Sequence, residues 1–476
     1  MANTKIVATL GPASDASEII RQLLACGVDV FRLNASHGSL EEHARRIERV
    51  RALAAGTGAS VGILLDLQGP KIRLGTFEGG RAVLQTGAAF TITTEPVTGT
   101  GERASTGYAA FARDVKPGDR VLLNDGAVEL RVLATDGVAA RCRVVSGGPV
   151  GDRKGINLPG VAVSSPALTD KDMADLRFGL EAGVDLIGLS FVRGAGDVRV
   201  LREHLRARQV GRLIPPIVAK IEKPEAWESL DGILEEADGV MVARGDLGVE
   251  VALEKVPFIQ KAIIERARLR GKFVITATQM LESMVENRSP TRAEVSDVAN
   301  AIYDGTDAVM LSAETSVGRH PVEAAGMMER IVAETEGPLR RRGFPELPLP
   351  PDAGIAEIVA QAAWQAARFA CVSAIVVFTA SGSSARLIAC RRPPAPLYAL
   401  TPSETTARQL APVYGVRAVV TPELRSTDEM LACLDRVLLE RRLLNRGDKV
   451  VFVAGQPIGR PGTTNLMKLH TVGELG

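Results

Sequence analysis

The sequence predicts an α/β protein whose largest domain is a TIM (β/α)8 barrel, with a small all-β lid domain inserted in it and an α/β domain after it. Eight short apolar runs alternate with amphipathic helical patterns, which is typical of parallel β/α construction. One long gap between runs has few helix signals, and a Pro-rich segment precedes a further set of alternating runs. These three observations predict the three domains.

The barrel is predicted to comprise residues 1–71 and 161–340. Amphipathic patterns such as residues 39–55 and 258–271 predict helices between the strands, and the second pattern ends at a glycine. The apolar runs that predict the strands are residues 5–10, 28–34, 61–67, 185–191, 215–222, 238–244, 272–278 and 307–314.

The long gap, residues 72–160, is rich in Gly, Thr and Val and predicts the inserted all-β domain. The tripeptides Asn-Asp-Gly at 124–126 and Thr-Asp-Gly at 135–137 are typical of hairpin turns. The insertion follows the third strand, so we expect it to lie over the C-terminal ends of the barrel strands and to act as a lid.

The segment RRRGFPELPLPPDAG is typical of a linker between domains. After it, residues 353–476 are predicted to form a separate α/β domain in which helical patterns separate the strands. Those strands are predicted at residues 374–379, 396–401, 416–421 and 449–454.

Composition and charge argue against several classes of partner. The 57 Lys and Arg residues against 56 Asp and Glu give a net charge of +1, so no nucleic-acid or membrane partner is expected. The first apolar run is too short for a signal peptide and the most apolar stretch is interrupted by Gln and Arg, so we expect a cytoplasmic protein. The five cysteines include no C-x-x-C pair, which favours free thiols over a zinc site.

Polar side chains stand at the ends of several predicted strands, which is where a TIM barrel carries its chemistry. Residues two apart on a strand share a face, as Lys220 and Glu222 do. Structural salt bridges would explain one or two such groups, whereas polar ends on the second strand and on five others favour a metal-assisted reaction on an anionic substrate. The residues concerned are Arg32, Asn34, Ser36, Asp66, Lys220, Glu222, Arg244, Asp246, Thr278, Gln279, Ser312 and Glu314.

The residue types indicate a class of chemistry. The carboxylates of Glu222 and Asp246 suit Mg²⁺, and the charge of Lys220 suits a phosphoryl or enolate oxygen on which charge develops. Arg32 and Arg73 can clamp phosphate oxygens. The sequence has no Walker loop and no plausible Ser/His/Asp or Cys/His arrangement. The residues therefore predict Mg²⁺-dependent chemistry on a phosphorylated or carboxylated small molecule, and leave the substrate open.

Eight motifs follow one another over almost the whole chain: TLGPAS, RLNASHG, KGINLPG, VAKIEKPE, MVARGDLGVE, ATQMLESM, PTRAEVSDVANAIYDGTDAVMLSAET and GRPGTTNLMKLH. In these motifs the chain resembles the pyruvate kinase family. The resemblance implies phosphoryl transfer from phosphoenolpyruvate to ADP, giving pyruvate and ATP. It also implies a homotetramer and a Mg²⁺ cofactor, for which Mn²⁺ could substitute.

The resemblance implies roles for individual residues. Glu222 and Asp246 would bind Mg²⁺, Lys220 would stabilise the phosphoryl group in flight, and Arg32 would contact that group. Gly245, Asp246 and Thr278 would line the substrate site, with Thr278 near the face on which the enolate is protonated. The residues expected at the nucleotide phosphates are Arg73 and Lys154, with Asn34 and His37 nearby.

The segment Asp66–Leu74 departs from the pattern of the potassium-requiring members. Where those members are similar to one another in reading Asp-Thr-Lys-Gly-Pro-Glu-Ile-Arg-Thr, this chain has Leu67, Lys71 and Leu74 in place of Thr, Glu and Thr. The change resembles the potassium-independent branch, because a lysine ammonium can supply the charge of a bound K⁺. We therefore expect no K⁺ requirement and a cation pocket made of Asn34, Ser36, Asp66 and Lys71. The alternative is that Lys71 is a solvated loop lysine.

The segment FTASGSSAR, residues 378–386, places hydroxyls and a glycine between a strand and a helix, which is typical of a phosphate site. This segment and residues 459–465 resemble the family's allosteric effector pocket. Ordinary helix capping is the alternative, and a sugar phosphate and AMP are both open as effectors. The effector-binding residues predicted are Thr379, Ser381, Gly382, Ser383 and Ser384, with Arg386 and Arg460 as further candidates.

Two other functions are compatible with part of this pattern. A Mg²⁺-dependent barrel lyase also acts through an enolate, but the lid, Lys154 and the C-terminal domain argue against it. A non-catalytic regulatory paralogue is the second alternative, and the presence of Lys220, Glu222, Asp246 and Thr278 argues against it.

Overall fold

In the computed structural model, the first three strands of the chain lie side by side, and a helix follows each of the first two along the sequence. The helix at residues 40–55 begins where it does because the Ser39 hydroxyl accepts a hydrogen bond from the Glu42 N–H and the Glu42 carboxylate accepts one from the Ser39 N–H. These first elements are β1 (Lys5–Thr9), α1 (Ser17–Ala25), β2 (Val30–Asn34), α2 (Leu40–Ala55) and β3 (Gly62–Asp66). The structure describes residues 2–56, 58–209, 213–369, 372–458 and 462–474.

An all-β insertion with a hydrophobic core of its own follows β3. Asn124, Asp125 and Gly126, all with positive φ, form the turn that joins the strand at residues 120–123 to the strand at residues 128–135. Its elements are β4 (Arg81–Leu84), β5 (Ala89–Thr93), β6 (Arg103–Ser105), α3 (Phe111–Asp114), β7 (Arg120–Leu123), β8 (Val128–Thr135), β9 (Ala139–Ser146), β10 (Gly148–Gly151) and β11 (Ile156–Asn157). They form a six-stranded sheet in the order β11-β7-β8-β9-β5-β6 and a two-stranded sheet of β10 and β4.

The chain then returns to the barrel. The strands added are β12 (Leu186–Leu189), β13 (Ile217–Ile221), β14 (Gly239–Ala243), β15 (Phe273–Ala277) and β16 (Ala308–Leu311). The helices around them are α4 (Asp170–Glu181), α5 (Ala195–Arg208), α6 (Pro224–Glu228), α7 (Leu230–Glu236), α8 (Arg244–Glu250), α9 (Val256–Leu269), α10 (Arg292–Asp304), α11 (Ala313–Ser316) and α12 (Pro321–Arg342). Strands β1 to β3 and β12 to β16 close into one parallel barrel, which confirms the predicted fold. These five added strands are buried along their whole length, as strands covered on both faces must be.

The C-terminal part forms a second sheet in the order β19-β18-β17-β20-β21. Its elements are α13 (Ile355–Phe369), β17 (Ala374–Phe378), α14 (Ser383–Ala389), β18 (Leu397–Thr401), α15 (Glu404–Gln409), β19 (Val416–Val420), α16 (Thr427–Glu440), β20 (Lys449–Gly455) and β21 (Thr464–Thr471). The sequence did not predict β21, which runs antiparallel to β20. It is an edge strand with few buried residues, so it lacks the apolar run that marks the other strands.

The two ends of the barrel face different neighbours. At the N-terminal ends of the strands, Asp307 accepts hydrogen bonds from Arg392 Nη1 at 3.0 Å and from the Tyr414 N–H at 3.1 Å. Asp185 pairs there with Arg408 at 2.8 Å. The C-terminal domain is thus bound to one end of the barrel, and the C-terminal strand ends open toward the inserted domain. No helix in the described parts of the chain is long and apolar enough to cross a membrane.

Candidate active site

A buried lysine lies at the centre of the C-terminal end of the barrel. Lys220 Nζ is 2.7 Å from Glu222 Oε1 and 3.4 Å from Asp66 Oδ1, and it donates a hydrogen bond to Ser190 Oγ at 2.8 Å. Burial acts to lower the pKa of Lys220, but the carboxylates of Asp66 and Glu222 prevail and raise it. The side chain is therefore a fixed positive charge at the end of β13.

Arg32 supplies a second buried cation from β2. Its Nη2 and Nε lie 2.6 Å and 2.7 Å from Asp66 Oδ2, and its Nη1 donates to Thr9 Oγ1 at 3.1 Å. Burial acts to raise the pKa of Asp66, but Lys220 and Arg32 hold it below its usual range. Asp66 thus fixes both cations at the barrel mouth.

Two carboxylates are available for a metal ion. Glu222 accepts the Phe191 N–H at 2.7 Å, while Asp246 is half-buried in the first turn of α8. Burial, against the opposing effect of Lys220, raises the pKa of Glu222, and the Asp246 carboxylate adds to the rise. A cation between two such carboxylates would relieve their repulsion. No group of three or more His, Cys, Asp or Glu side chains suited to a metal occurs in the described residues, so further ligands would be water or substrate oxygens, as Mg²⁺ prefers.

Thr278 follows β15 in an unusual backbone conformation. Its φ is 66°, which is rare for a β-branched residue. Its hydroxyl accepts the Gly245 N–H at 2.7 Å and donates to the Ala277 carbonyl at 2.6 Å. Arg244 Nη2 donates to the carbonyls of Thr278 and Gln279 at 2.7 Å and 3.1 Å. These bonds hold the strained residue in place, and such strain is common at functional sites.

Two of the residues predicted for the nucleotide, Arg73 and Lys154, lie where the chain enters and leaves the insertion. The Leu74 N–H donates to the carbonyl of the exposed Lys154 at 2.8 Å, and Arg73 Nη1 donates to the Arg153 carbonyl at 3.2 Å. The structure thus brings Arg73 and Lys154 together. His37 is exposed, but partial desolvation and then the nearby cations Arg73, Lys71 and Arg32 lower its pKa.

The four residues predicted as a cation pocket do not all touch one another. Asn34 Oδ1 accepts the Ser36 N–H at 3.1 Å, so these two are joined. Asp66 is paired with Arg32 and Lys220, as described above. Lys71 is half-buried, and within the described residues no acidic group lies within 4.0 Å of its ammonium. The positive charge of Lys71 instead contributes to lowering the pKa of His37.

Two residues of β12 and its C-terminal end were not predicted. Ser190 donates to the Leu67 carbonyl at 2.7 Å and accepts from Lys220, so it ties the lysine to the segment after β3. A side chain at Gly188 would meet Asp66 Oδ1 at 2.9 Å, so glycine is needed where the carboxylate lies. The only sequence signal for either was its place in a predicted strand end.

A cavity of about 220 Å³ lies in the C-terminal domain. Thr379, Ser381 and Ser384 line it, whereas Gly382 and Ser383 do not. Gly382 instead donates its N–H to Thr379 Oγ1 at 2.9 Å with φ of 79°, and Ser383 begins α14.

Further polar groups border this cavity. Ser384 Oγ is hydrogen-bonded to Thr464 Oγ1, and the buried Thr421 Oγ1 has no partner in the described residues. Arg386 does not line the cavity but donates to the Ser381 carbonyl at 3.3 Å. Arg460 lies outside the described residues.

Comparison with known proteins decides the family. The sequence matches the family described as "Pyruvate kinase, barrel domain" over residues 1–325 and the one described as "Pyruvate kinase, alpha/beta domain" over residues 357–470. The chain belongs to the pyruvate kinase family. It is therefore an enzyme and a transferase of glycolysis, and the predicted resemblance is confirmed.

Individual pyruvate kinases are similar to it over their full length. The pyruvate kinase of Mycobacterium tuberculosis is 47% identical over 470 residues, which cover 99% of this chain and 98% of the relative. That of Corynebacterium glutamicum is 47% identical over 481 residues, with the same coverage. The crystal structure of a pyruvate kinase from Cryptosporidium parvum superimposes with a TM-score of 0.90 at 35% identity, covering 99% of this chain and 96% of that one.

Proposed function

We propose that this pyruvate kinase transfers a phosphoryl group from phosphoenolpyruvate to ADP, giving pyruvate and ATP. The observation that carries the proposal is the position of Lys220, a buried ammonium held between Asp66 and Glu222 at the barrel mouth. Because carboxylates raise its pKa, Lys220 stays protonated at neutral pH and offers a permanent charge to an anionic substrate.

Lys220 and Arg32 would stabilise the phosphoryl group during transfer. Charge on a transferring phosphoryl group spreads over its equatorial oxygens, and preorganised cations stabilise that charge without reorganisation. Asp66 orients both cations through direct ion pairs, so we assign it a positioning role.

Glu222 and Asp246 would hold Mg²⁺, with Mn²⁺ as a substitute. When bound, the metal supplies positive charge to substrate carboxylate, enolate and phosphate oxygens. Glu222 is suited to this because the Phe191 N–H fixes one of its oxygens while the other faces Lys220. Asp246 is the more accessible carboxylate of the pair.

Thr278 would lie beside the carbon of the enolate that receives a proton. Its hydroxyl is held between Gly245 and Ala277, and Arg244 fixes its carbonyl. We therefore assign Gly245 and Thr278 to the substrate site and Arg244 to positioning.

Arg73 and Lys154, with Asn34 and His37 nearby, would hold the phosphates of ADP. Arg73 and Lys154 lie where the insertion joins the barrel, so nucleotide binding would draw the lid toward the site. A closed lid excludes water and limits hydrolysis of the phosphoryl donor.

Lys71 would replace the K⁺ that other members require, within a pocket that also includes Asn34, Ser36 and Asp66. Two observations support this role of Lys71: the sequence change at this position, and the contribution of its charge to lowering the pKa of His37 at the barrel mouth.

A phosphorylated effector, either a sugar phosphate or AMP, would bind the cavity lined by Thr379, Ser381 and Ser384, with Gly382 and Ser383 adjoining it.

The experiment is to measure pyruvate formation from phosphoenolpyruvate and ADP with Mg²⁺, first in potassium-free buffer and then with K⁺ added. We expect full activity in both buffers. Activity only after K⁺ is added would retain the reaction and refute the role of Lys71. Folded protein that forms no pyruvate in either buffer would refute the reaction itself.

A further inference from the structure

A further cavity lies away from both sites described above. Its volume is about 760 Å³, and it is lined by the C-terminal ends of α7, α9 and α14, by the linker at residues 347–353 and by Glu357 of α13. Leucine and proline side chains of the linker form an apolar wall. Arg268, Lys272 and Arg391 contribute positive charge to the lining.

Two of these cations are buried and have unused hydrogen-bond donors. Arg268 is 6% exposed and its guanidinium lies 5.3 Å from the centre of the Phe344 ring; its Nε donates to the Cys390 carbonyl at 3.4 Å, but Nη2 has no hydrogen-bond partner in the described residues. Arg391 is 7% exposed; its Nη1 donates to Gln361 and to the Leu347 carbonyl, but Nε has no partner there. An unpaired buried donor costs about 1–3 kcal/mol and more when charged, so its presence calls for an explanation.

The charges around the two guanidinium groups are also unbalanced. No carboxylate lies within 4.0 Å of Arg268 or Arg391 in the described residues, whereas the neighbouring Arg392 is paired with Asp307 at 3.0 Å. Burial and then the charge of Arg392 lower the pKa of Arg268 to about 10, and burial lowers that of Arg391. The acidic residues that line the cavity are the exposed Glu235 and Asp352 and the half-buried Glu357. The buried floor is thus positive and the rim is acidic.

We propose that this cavity binds a small phosphorylated metabolite, whose phosphate group accepts hydrogen bonds from Arg268 and Arg391. Guanidinium groups match the geometry of phosphate oxygens, and the apolar linker wall suits the rest of such a molecule. The site is distinct from the cavity at Thr379, because the two cavities have no lining residue in common: Ser384 of α14 lines one and Leu387 of the same helix lines the other.

Two measurements on the full chain test the site. The first is anomalous diffraction from wild-type crystals soaked in tungstate, a heavy tetrahedral oxyanion that stands in for phosphate. We expect a peak between Arg268 and Arg391. The second is the stabilisation by inorganic phosphate, measured as the thermal midpoint against chloride at equal ionic strength. We expect phosphate to bind this cavity about tenfold more weakly in Arg268→Gln and in Arg391→Gln, because each variant loses one charged hydrogen bond. Phosphate should therefore raise the thermal midpoint of each variant less than that of the wild type.

Arg270→Gln is the matched control, because Arg270 lines the same cavity but is exposed and paired with Asp231 at 3.0 Å. It should retain wild-type phosphate stabilisation. Since active-site residues are unchanged in every variant, differences from wild type report this cavity alone. Absence of a tungstate peak in the cavity would overturn the proposal, and so would wild-type phosphate stabilisation in both buried-arginine variants. The diffraction result needs no variant to fold.

Discussion

The ammonium group of Lys220 lies 2.7 Å from a carboxylate oxygen of Glu222, and both side chains are buried at the C-terminal end of the barrel. The pair is part of a larger network, because Asp66 approaches the same ammonium from β3 at 3.4 Å. Removing one member of a buried pair leaves the other charge uncompensated, so single substitutions here affect stability as well as catalysis.

Lys220→Met should remove most of the turnover and leave the KM for phosphoenolpyruvate close to that of the wild type. The lost charge acts mainly in the transition state, so we expect a decrease in kcat of about 10²–10³-fold. Steady-state kinetics measure this effect, with circular dichroism to confirm that the variant is folded. A folded variant with wild-type turnover would show that the assignment is wrong.

Glu222→Gln should raise the Mg²⁺ concentration needed for half-maximal activity by about tenfold, because an amide oxygen carries no charge for the cation. A Mg²⁺ titration of pyruvate formation measures the shift. Glu228→Gln is the control, since Glu228 is exposed on α6 in the same segment. Equal titrations for wild type and Glu222→Gln would count against the ligand role.

Lys71→Glu should lower activity in potassium-free buffer and create a dependence on K⁺. The substitution replaces the cation with the carboxylate found in potassium-requiring members, while Leu67 and Leu74 remain, so recovery with K⁺ is expected to be partial. Activity is measured as a function of K⁺ concentration. Lys116→Glu makes the same charge change at an exposed position of the insertion and should have no such effect. A K⁺-insensitive Lys71→Glu enzyme would contradict the proposal.

Arg244→Lys should slow the protonation step without a large change in substrate affinity. The single nitrogen of lysine cannot replace both Nη2, which donates to the carbonyls of Thr278 and Gln279, and Nη1, which donates to Asp297, so the strained conformation of Thr278 would relax. The measurement is the exchange of pyruvate methyl protons with deuterated solvent, followed by NMR. We expect exchange about tenfold slower or more, with a KM for phosphoenolpyruvate near that of the wild type. A purely structural role would instead lower stability and leave exchange per folded molecule unchanged.

The thermal midpoint should fall as the pH is lowered from about 7 toward 5.5. Burial and then the charge of Arg46 lower the pKa of His43 below the ordinary value of 6.5, against the smaller opposing effect of the His37 backbone. As the pH falls, His43 is therefore protonated in the unfolded chain before it is protonated in the folded protein. The contribution of neutral His43 to the free energy of unfolding is complete above pH 6.5 and is lost as the pH falls through the folded pKa. Scanning calorimetry of wild type and His43→Leu tests it. The variant should show a shallower decline, and an unchanged slope would contradict the prediction.

The barrel strands and the hairpin at Asn124–Gly126 could be read from the sequence because each depends on near neighbours. Hydrophobic periodicity and turn chemistry act over a few residues, so β3 and β13 were predicted close to their observed bounds. The edge strand β21 was missed because its side chains are mostly exposed, and partnership with β20 rather than its own pattern makes it a strand. Sequence motifs likewise sufficed to place the chain in its family.

The tertiary structure alone decided how the predicted side chains meet. The register of β12 against β3 sets Gly188 beside Asp66, and this pairing leaves room for Lys220 and Arg32 to share one carboxylate. The unpaired donors of Arg268 and Arg391 likewise exist only because the barrel, linker and C-terminal domain pack together. Ion pairs and cavities depend on the distances between segments far apart in the chain. Those distances are set by packing and strand register, which local sequence patterns do not encode.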